Sequence, residues 1–178
     1  KAMQLLEEAN DADVQLSGHA CNNLLNGMFQ CGEVQAAEQL WQQLRDRKQA
    51  NEFTWVIAIG GFAGCKQLDK AMQLLEEADE ADVQLSSHAF SKLMIACGDA
   101  SALVTGEKVH AIATRRKLAH GIEYRNSRLH FLFKCGELQA AEEIWQELHD
   151  GKEADAHSFG IAIGGFASNK QLDKAMQL

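Results

Sequence analysis

Apolar residues recur along this chain at three- and four-residue intervals, in short stripes that come in pairs. Leu24, Leu25 and Met28 form one stripe, and Ala36, Ala37, Leu40, Trp41 and Leu44 form the next. Such spacing puts each set on one face of a helix. Between the stripes stands Cys31-Gly32, where glycine can adopt a left-handed conformation and end the first helix. No segment alternates as a strand would, and the chain has no proline to break a helix. The pattern predicts an all-α chain built from pairs of short amphipathic helices.

The pairs repeat. KAMQLLEEANDADVQLS at Lys1–Ser17 returns at Lys70–Ser86 with two changes, and Gln171–Leu178 repeats Gln67–Leu74 without change. IAIGGFA occurs at Ile57–Ala63 and again at Ile161–Ala167, while QCGEVQAAEQLWQQL at Gln30–Leu44 returns as KCGELQAAEEIWQEL at Lys134–Leu148. These last copies lie 104 residues apart (Ile57 against Ile161), or three units of about 34 or 35 residues. From the glycine phase, full units are expected at Gly18–Asn51, Glu52–Ser86, Ser87–Gly121 and Ile122–Asp155. Lys1–Ser17 reads as the tail of a preceding unit and Ala156–Leu178 as the front of a following one, so the chain reads as a segment of a longer protein. One helix pair cannot bury its apolar stripes alone. Stacking on neighbours can, and the expected product is a solenoid with a concave surface.

Charge complicates the choice of partner. The chain carries 25 acidic and 17 basic residues, a net −8, which opposes indiscriminate binding to nucleic acid. One window runs the other way: Arg115, Arg116, Lys117, Arg125, Arg128 and Lys134 face only Glu123. The apolar runs are too short to span a bilayer. The five cysteines include no C-x-x-C pair, and Cys31, Cys65 and Cys135 share one slot in different repeats, so they are expected to be buried free thiols rather than disulfides or zinc ligands. No H-E-x-x-H spacing occurs, and Gly60-Gly61-Phe62-Ala63-Gly64-Cys65-Lys66 lacks the spacing of a phosphate loop. Its small residues are expected to let helices approach closely, and Trp41 and Trp145, sharing a slot on the apolar stripe, are expected in the core.

The phrases resemble pentatricopeptide repeats of the plant-like type, over essentially the whole chain. Asn22-Asn23-Leu24-Leu25, Gln30-Cys31-Gly32 and the Ala37, Leu40, Trp41, Leu44 series are similar to the family pattern. So are Ala96-Cys97 with Gly106-Glu107-Lys108-Val109-His110-Ala111, and Asn126 with Lys134-Cys135-Gly136. Departures are the missing junction proline, Arg128 in a normally apolar slot, and Lys66 and Lys170 in place of the glycine between helices. The resemblance implies a right-handed α-α superhelix that binds single-stranded RNA at one nucleotide per repeat.

In that reading the base is met by the fifth residue of each first helix and the last residue of the unit. The pairs are Asn22 with Asn51, Val56 with Ser86, Ser91 with Gly121, and Asn126 with Asp155, while Gly160 opens an incomplete pair. The resemblance implies that Asn with Asp reads uridine and Asn with Asn a pyrimidine, for a weak pyrimidine-N-N-uridine preference. Whether Asn22 and Asn126 serve packing or contact with RNA is left open by the residues alone. Second positions pack between bases in the family, and here His19, Phe53, His88 and His157 can stack whereas Glu123 cannot. Arg115, Arg116, Lys117 and Arg125 are the candidate phosphate contacts.

The strings that zinc-dependent base deamination requires, H-x-E and P-C-x-x-C, are absent, as is any cluster of nuclease aspartates. The expectation is a non-catalytic segment without metal or cofactor, serving organellar RNA processing, stability, editing or translation in chloroplast or mitochondrion. The alternative is a protein-interaction scaffold of the tetratricopeptide kind. That family expects a small eighth residue, yet Leu25, Ile59, Met94 and Leu129 are large.

Overall fold

The computed structural model describes residues 17–177, so the partial unit expected over Lys1–Ser17 lies almost wholly outside the described residues. Among the described residues there are ten helices and no strand. First helices are α1 (Gly18–Gln30), α3 (Glu52–Gly64), α5 (Ser87–Asp99), α7 (Ile122–Cys135) and α9 (Ala156–Ser168). Second helices are α2 (Val34–Asp46), α4 (Leu68–Glu80), α6 (Leu103–Arg115), α8 (Leu138–Asp150) and α10 (Leu172–Gln177). The helices fall into two compact units, α1–α4 up to Leu85 and α5–α10 from Ser86 onward.

Within the first unit, α1 packs on both α2 and α3, and α3 on α4. Leu25, Met28 and Phe29 of α1 are buried with Ala37, Leu40, Trp41 and Leu44 of α2, while Leu24 is only half-buried. Trp41 is 2% exposed, as a core tryptophan should be, and meets Trp55 edge-on at 4.8 Å between ring centroids. Second helices meet through ion pairs, Arg45 with Glu77 and Lys70 with Glu38. The second unit follows the same plan. Here α5 packs on α6 and α7, α7 on α8 and α9, and α9 on α10. Trp145 is buried and edges Phe159, while Lys174 of α10 bonds Glu142 of α8.

The repeated glycine phrase has the expected purpose. A Cβ on Gly61 would run into the Phe29 ring, and one on Gly165 into the Phe133 ring. Only a residue without a side chain lets α3 and α9 lie this close to the preceding first helix.

Turns between helices reuse one device. Gly32 and Gly136 adopt φ of 75° and 80°, and Lys66 and Lys170 enter the same left-handed region at 62°. Turns that follow second helices do likewise, with Lys48, Asp82, Lys117 and Lys152 at φ between 49° and 59°. A side chain in this region costs roughly 1–2 kcal/mol, so the hairpin geometry overrides local preference.

The thiols divide differently from the expectation. None is in a disulfide, but only Cys21 and Cys97 are buried; Cys31 is exposed, and Cys65 and Cys135 are half-buried. Their shared slot falls at the end of a first helix, where the stripe leaves the core. Burial pushes the Cys97 thiol up to about 12, which keeps it protonated and inert.

Candidate functional site

Each first helix begins with a residue in extended conformation just before it, and the side chain there decides what the junction can hold. Asn51 caps α3, accepting through Oδ1 from the Thr54 N–H at 3.0 Å, while its own N–H donates to Thr54 Oγ1 at 3.1 Å. Asp155 and Ser158 form the same reciprocal cap on α9, at 2.7 and 3.1 Å. Such caps satisfy otherwise orphaned helix-terminal N–H groups.

The fifth residue of the preceding first helix joins each cap. Asn22 accepts from the Thr54 hydroxyl at 2.8 Å and extends its amide to Asn51 Oδ1 at 3.5 Å. Asn126 accepts from the Ser158 hydroxyl at 2.8 Å and donates to Asp155 Oδ1 at 3.3 Å. Two residues proposed as a reading pair, 29 apart in sequence, therefore touch, and they do so in both halves of the chain. Asn22 is 9% exposed and Asn126 2%, whereas Asn51 and Asp155 are exposed. The asparagines thus have a packing role, each closing the polar junction onto the next first helix. The presented edge of each pair belongs to its last residue.

Charge separates the two junctions. Bonds from the Ser158 backbone N–H and hydroxyl hold the Asp155 carboxyl below the usual aspartate value, with the Asn126 amide adding to the effect. The Asn51 junction is neutral. Thr54 and Ser158 are the members that sequence reading missed, although Asn-x-x-Thr and Asp-x-x-Ser ahead of an apolar run are legible as helix starts.

The other pairs lack this chemistry. Ser91 is 2% exposed with its hydroxyl unpartnered, and Gly121, which precedes α7, offers no side chain. The third residue of α7 is Tyr124 rather than the Thr or Ser that completes the other caps, and its phenol lies 3.1 Å from His110 Nδ1. Val56 is half-buried, and Ser86 and Gly160 are exposed.

Second positions lie on the surface. His19, His88 and His157 are exposed, and Phe53 is 64% exposed, high for a phenylalanine. His88 Nδ1 lies 2.7 Å from Glu123 Oε1, so consecutive second positions of α5 and α7 form neighbours in one row.

The basic window is less available than its sequence suggests. Arg125 reaches Glu153 at 2.9 Å and Glu147 at 3.4 Å, with its side chain only 18% exposed. Arg128, in its normally apolar slot, reaches Glu107 at 3.6 Å. Three carboxylates from distant parts of the chain thus neutralise two of the window's cations. Arg115 ends α6, and Arg116 and Lys117 form the turn after it, with Lys117 exposed. Among the described residues, no helix is long and apolar enough to cross a membrane, and no cluster of His, Cys, Asp and Glu could hold a metal.

Comparison with known proteins agrees with this architecture. A pentatricopeptide repeat domain model matches residues 4–50, and a PPR repeat model matches residues 53–83. A mitochondrial pentatricopeptide repeat-containing protein of Arabidopsis thaliana is 23% identical over 88% of this chain and 15% of its own length. A chloroplastic one from the same plant is 27% identical over 83% of this chain and 21% of its own length. The chain thus spans about a fifth or less of these relatives. Among solved structures, the pentatricopeptide repeat protein PPR10 from maize superposes with a TM-score of 0.74 at 19% identity, over 88% of this chain and 23% of that one. PPR10 in complex with an 18-nt psaJ RNA element superposes with a TM-score of 0.61 at 16% identity, over 92% of this chain and 28% of that one. The likeness establishes the fold, a solenoid of stacked helix–turn–helix units. With the phased phrases and the paired helices in place, pentatricopeptide repeat models match residues 4–50 and 53–83, and the chain is similar over most of its length to pentatricopeptide repeat proteins.

Proposed function

We propose that this chain binds single-stranded RNA along the surface presented by its first helices, one nucleotide per unit, with units at Gly18–Asn51, Glu52–Ser86, Ser87–Gly121 and Ile122–Asp155. The observation that carries the reading is the contact of Asn22 with Asn51 and of Asn126 with Asp155, at the two junctions where family logic expects a selective pair. The exposed carboxamide of Asn51 or carboxylate of Asp155, held from behind by the buried asparagine, faces the Watson–Crick edge of a splayed base. The uncharged Asn22/Asn51 pair suits a pyrimidine, and Asn126/Asp155, whose carboxylate only accepts, suits uridine. Val56/Ser86 and Ser91/Gly121 discriminate little. The preferred ligand is pyrimidine-N-N-uridine, running 5′ to 3′ with the chain.

Phe53 and His19, His88 and His157 offer flat, exposed faces for bases, at about 1–3 kcal/mol per stacked base. Glu123 holds His88 and would weaken stacking there. Arg115, Arg116, Lys117 and Arg125 are the proposed phosphate contacts, with Arg125 also held by Glu147 and Glu153. The eighth residues Leu25, Ile59, Met94 and Leu129 are each 0% exposed, which leaves no room for the tight helix contact a tetratricopeptide-like scaffold makes through a small residue. Names of the mitochondrial and chloroplastic relatives support a role in organellar RNA processing, stability, editing or translation.

The test is binding to short single-stranded RNAs as salt is raised. Affinity should fall with salt, and Asn22→Thr should move the preference at one base from pyrimidine towards purine. Parent and variant binding all sequences alike would refute the base-reading assignment. No binding at low salt, by this chain or by a longer piece of the protein, would refute the RNA reading and favour a protein partner.

A further inference from the structure

Second helices meet the first helix that follows them through one repeated contact. Trp41 of α2 packs edge-on against Trp55 of α3, and Trp145 of α8 against Phe159 of α9, at 4.8 and 5.0 Å between ring centroids. Each pair joins the eighth residue of a second helix to the fourth residue of the next first helix. Where α6 meets α7, those two slots belong to His110 and Arg125. Neither fills the space of an indole, and a cavity of about 520 Å³ opens between His110, Arg125, Arg128, Ile144, Glu147 and Glu153. None of the residues proposed to meet bases lines it.

The polar wall of this cavity is unevenly matched. Arg125 is held by Glu147 and Glu153, whose side chains are exposed at the rim. Arg128 stands in the slot of Leu24 and reaches Glu107 at 3.6 Å through Nη2. Its Nη1 is buried with no hydrogen-bond partner among the described residues. Folded interiors rarely leave such a donor unmatched, least of all a charged one. Burial, with Arg128 beside it, pushes His110 below the usual histidine value, so its ring is neutral near pH 7.

We propose that this cavity binds a small planar aromatic acid, with its ring in the space that aromatic side chains fill at the sister junctions and its carboxylate accepting from Arg128. The chain itself shows that a flat ring suits the place, since Trp55 and Phe159 occupy it elsewhere. Guanidinium and imidazole groups offer faces on which such a ring stacks. The volume lies within the ordinary range of small-ligand pockets, roughly 300–1,000 Å³. Glu147 and Glu153 at the rim repel a dianion more than a monoanion, so a single carboxylate is admitted over phosphate.

Benzoate is the probe, titrated calorimetrically into the chain at neutral pH without RNA. The parent should bind it saturably, with a Kd of about 1 mM or tighter. Cyclohexanecarboxylate has the same charge but no flat ring, and should bind about threefold more weakly or worse. Inorganic phosphate should not displace benzoate. Two variants install residues that sister junctions already carry. Arg128→Leu restores the residue of the Leu24 slot and should weaken benzoate about tenfold or more. His110→Trp restores the residue of the Trp41 and Trp145 slot, fills the cavity and should abolish binding. Far-ultraviolet circular dichroism establishes that each variant is folded, and either one alone decides. No saturable binding by the parent, equal affinity for cyclohexanecarboxylate, displacement by phosphate, or parent-like binding by a folded variant would overturn the site.

Discussion

Two adjacent glycines of α9 predict opposite consequences for the same substitution. Gly164 and Gly165 both lie inside a helix, where replacing glycine by alanine gains about 1 kcal/mol from backbone entropy. At Gly164 the new methyl meets nothing within 4 Å, so the gain stands and Gly164→Ala should stabilise by about 0.5–1 kcal/mol. At Gly165 the methyl would lie 2.6 Å from Phe133 Cε2 and closer still to two other ring atoms, against an optimum of about 3.5–4.0 Å. The ring has little freedom to yield, because Phe133 is 5% exposed and packs edge-on against Phe166 at 5.0 Å. Overpacking of this sort costs about 1–3 kcal/mol. Since both variants share the entropy gain, that cost is the whole difference between them. Urea unfolding followed by far-ultraviolet circular dichroism reads it directly, with the Gly164→Ala midpoint above the parent and the Gly165→Ala midpoint below Gly164→Ala by the equivalent of about 1–3 kcal/mol. Two variants with the same midpoint would show that α7 and α9 do not approach as described.

Lys66→Gly and Lys170→Gly should each stabilise by about 1 kcal/mol, because both lysines sit at φ 62°; thermal unfolding checks this, and unchanged midpoints would mean that those turns are not left-handed. Stability should also depend on Asp155 below neutral pH. Its folded-state pKa is depressed, so its contribution is complete above the ordinary aspartate value near 3.8 and disappears as pH falls through the lower, folded value. Denaturation midpoints measured from pH 6 down to pH 2 should fall further for the parent than for Asp155→Asn, and parallel curves would contradict the hydrogen-bonded carboxylate.

Much of the architecture was legible because repetition averages over local ambiguity. The Cys31-Gly32 break, the tryptophan slot and the IAIGGFA phrase each recur with the same helical spacing, and the helices fall where that spacing puts them. Local preference misled where tertiary geometry overrides it. Lysine has no bias towards left-handed backbone, so nothing about Lys48, Lys117 or Lys152 announces that they occupy it. Cys31, Cys65 and Cys135 were expected inside because cysteine usually is, but their slot lies at the helix end. The candidate site was legible in its chemistry and not in its connections. Asn22 and Asn51 could be paired only through the family resemblance, and Thr54, which bonds to both, only by asking what satisfies the first N–H groups of α3. The positive window is weakened for a similar reason, since the carboxylates that hold Arg125 and Arg128 come from Glu107, Glu147 and Glu153, none of which lies within it.

The junction at Asp155 gives the most direct access to the claim that these pairs read bases. Asp155→Asn turns the second junction into a near-copy of the Asn22/Asn51 one, in a backbone setting the chain already supports (both caps have φ −100° and ψ 178°). Affinity should be compared for pyrimidine-N-N-uridine and pyrimidine-N-N-cytidine RNAs at one fixed salt concentration. The parent should prefer uridine severalfold, and Asp155→Asn should bind the two RNAs about equally. An identical preference in both proteins, or none in the parent, would contradict base reading by this pair.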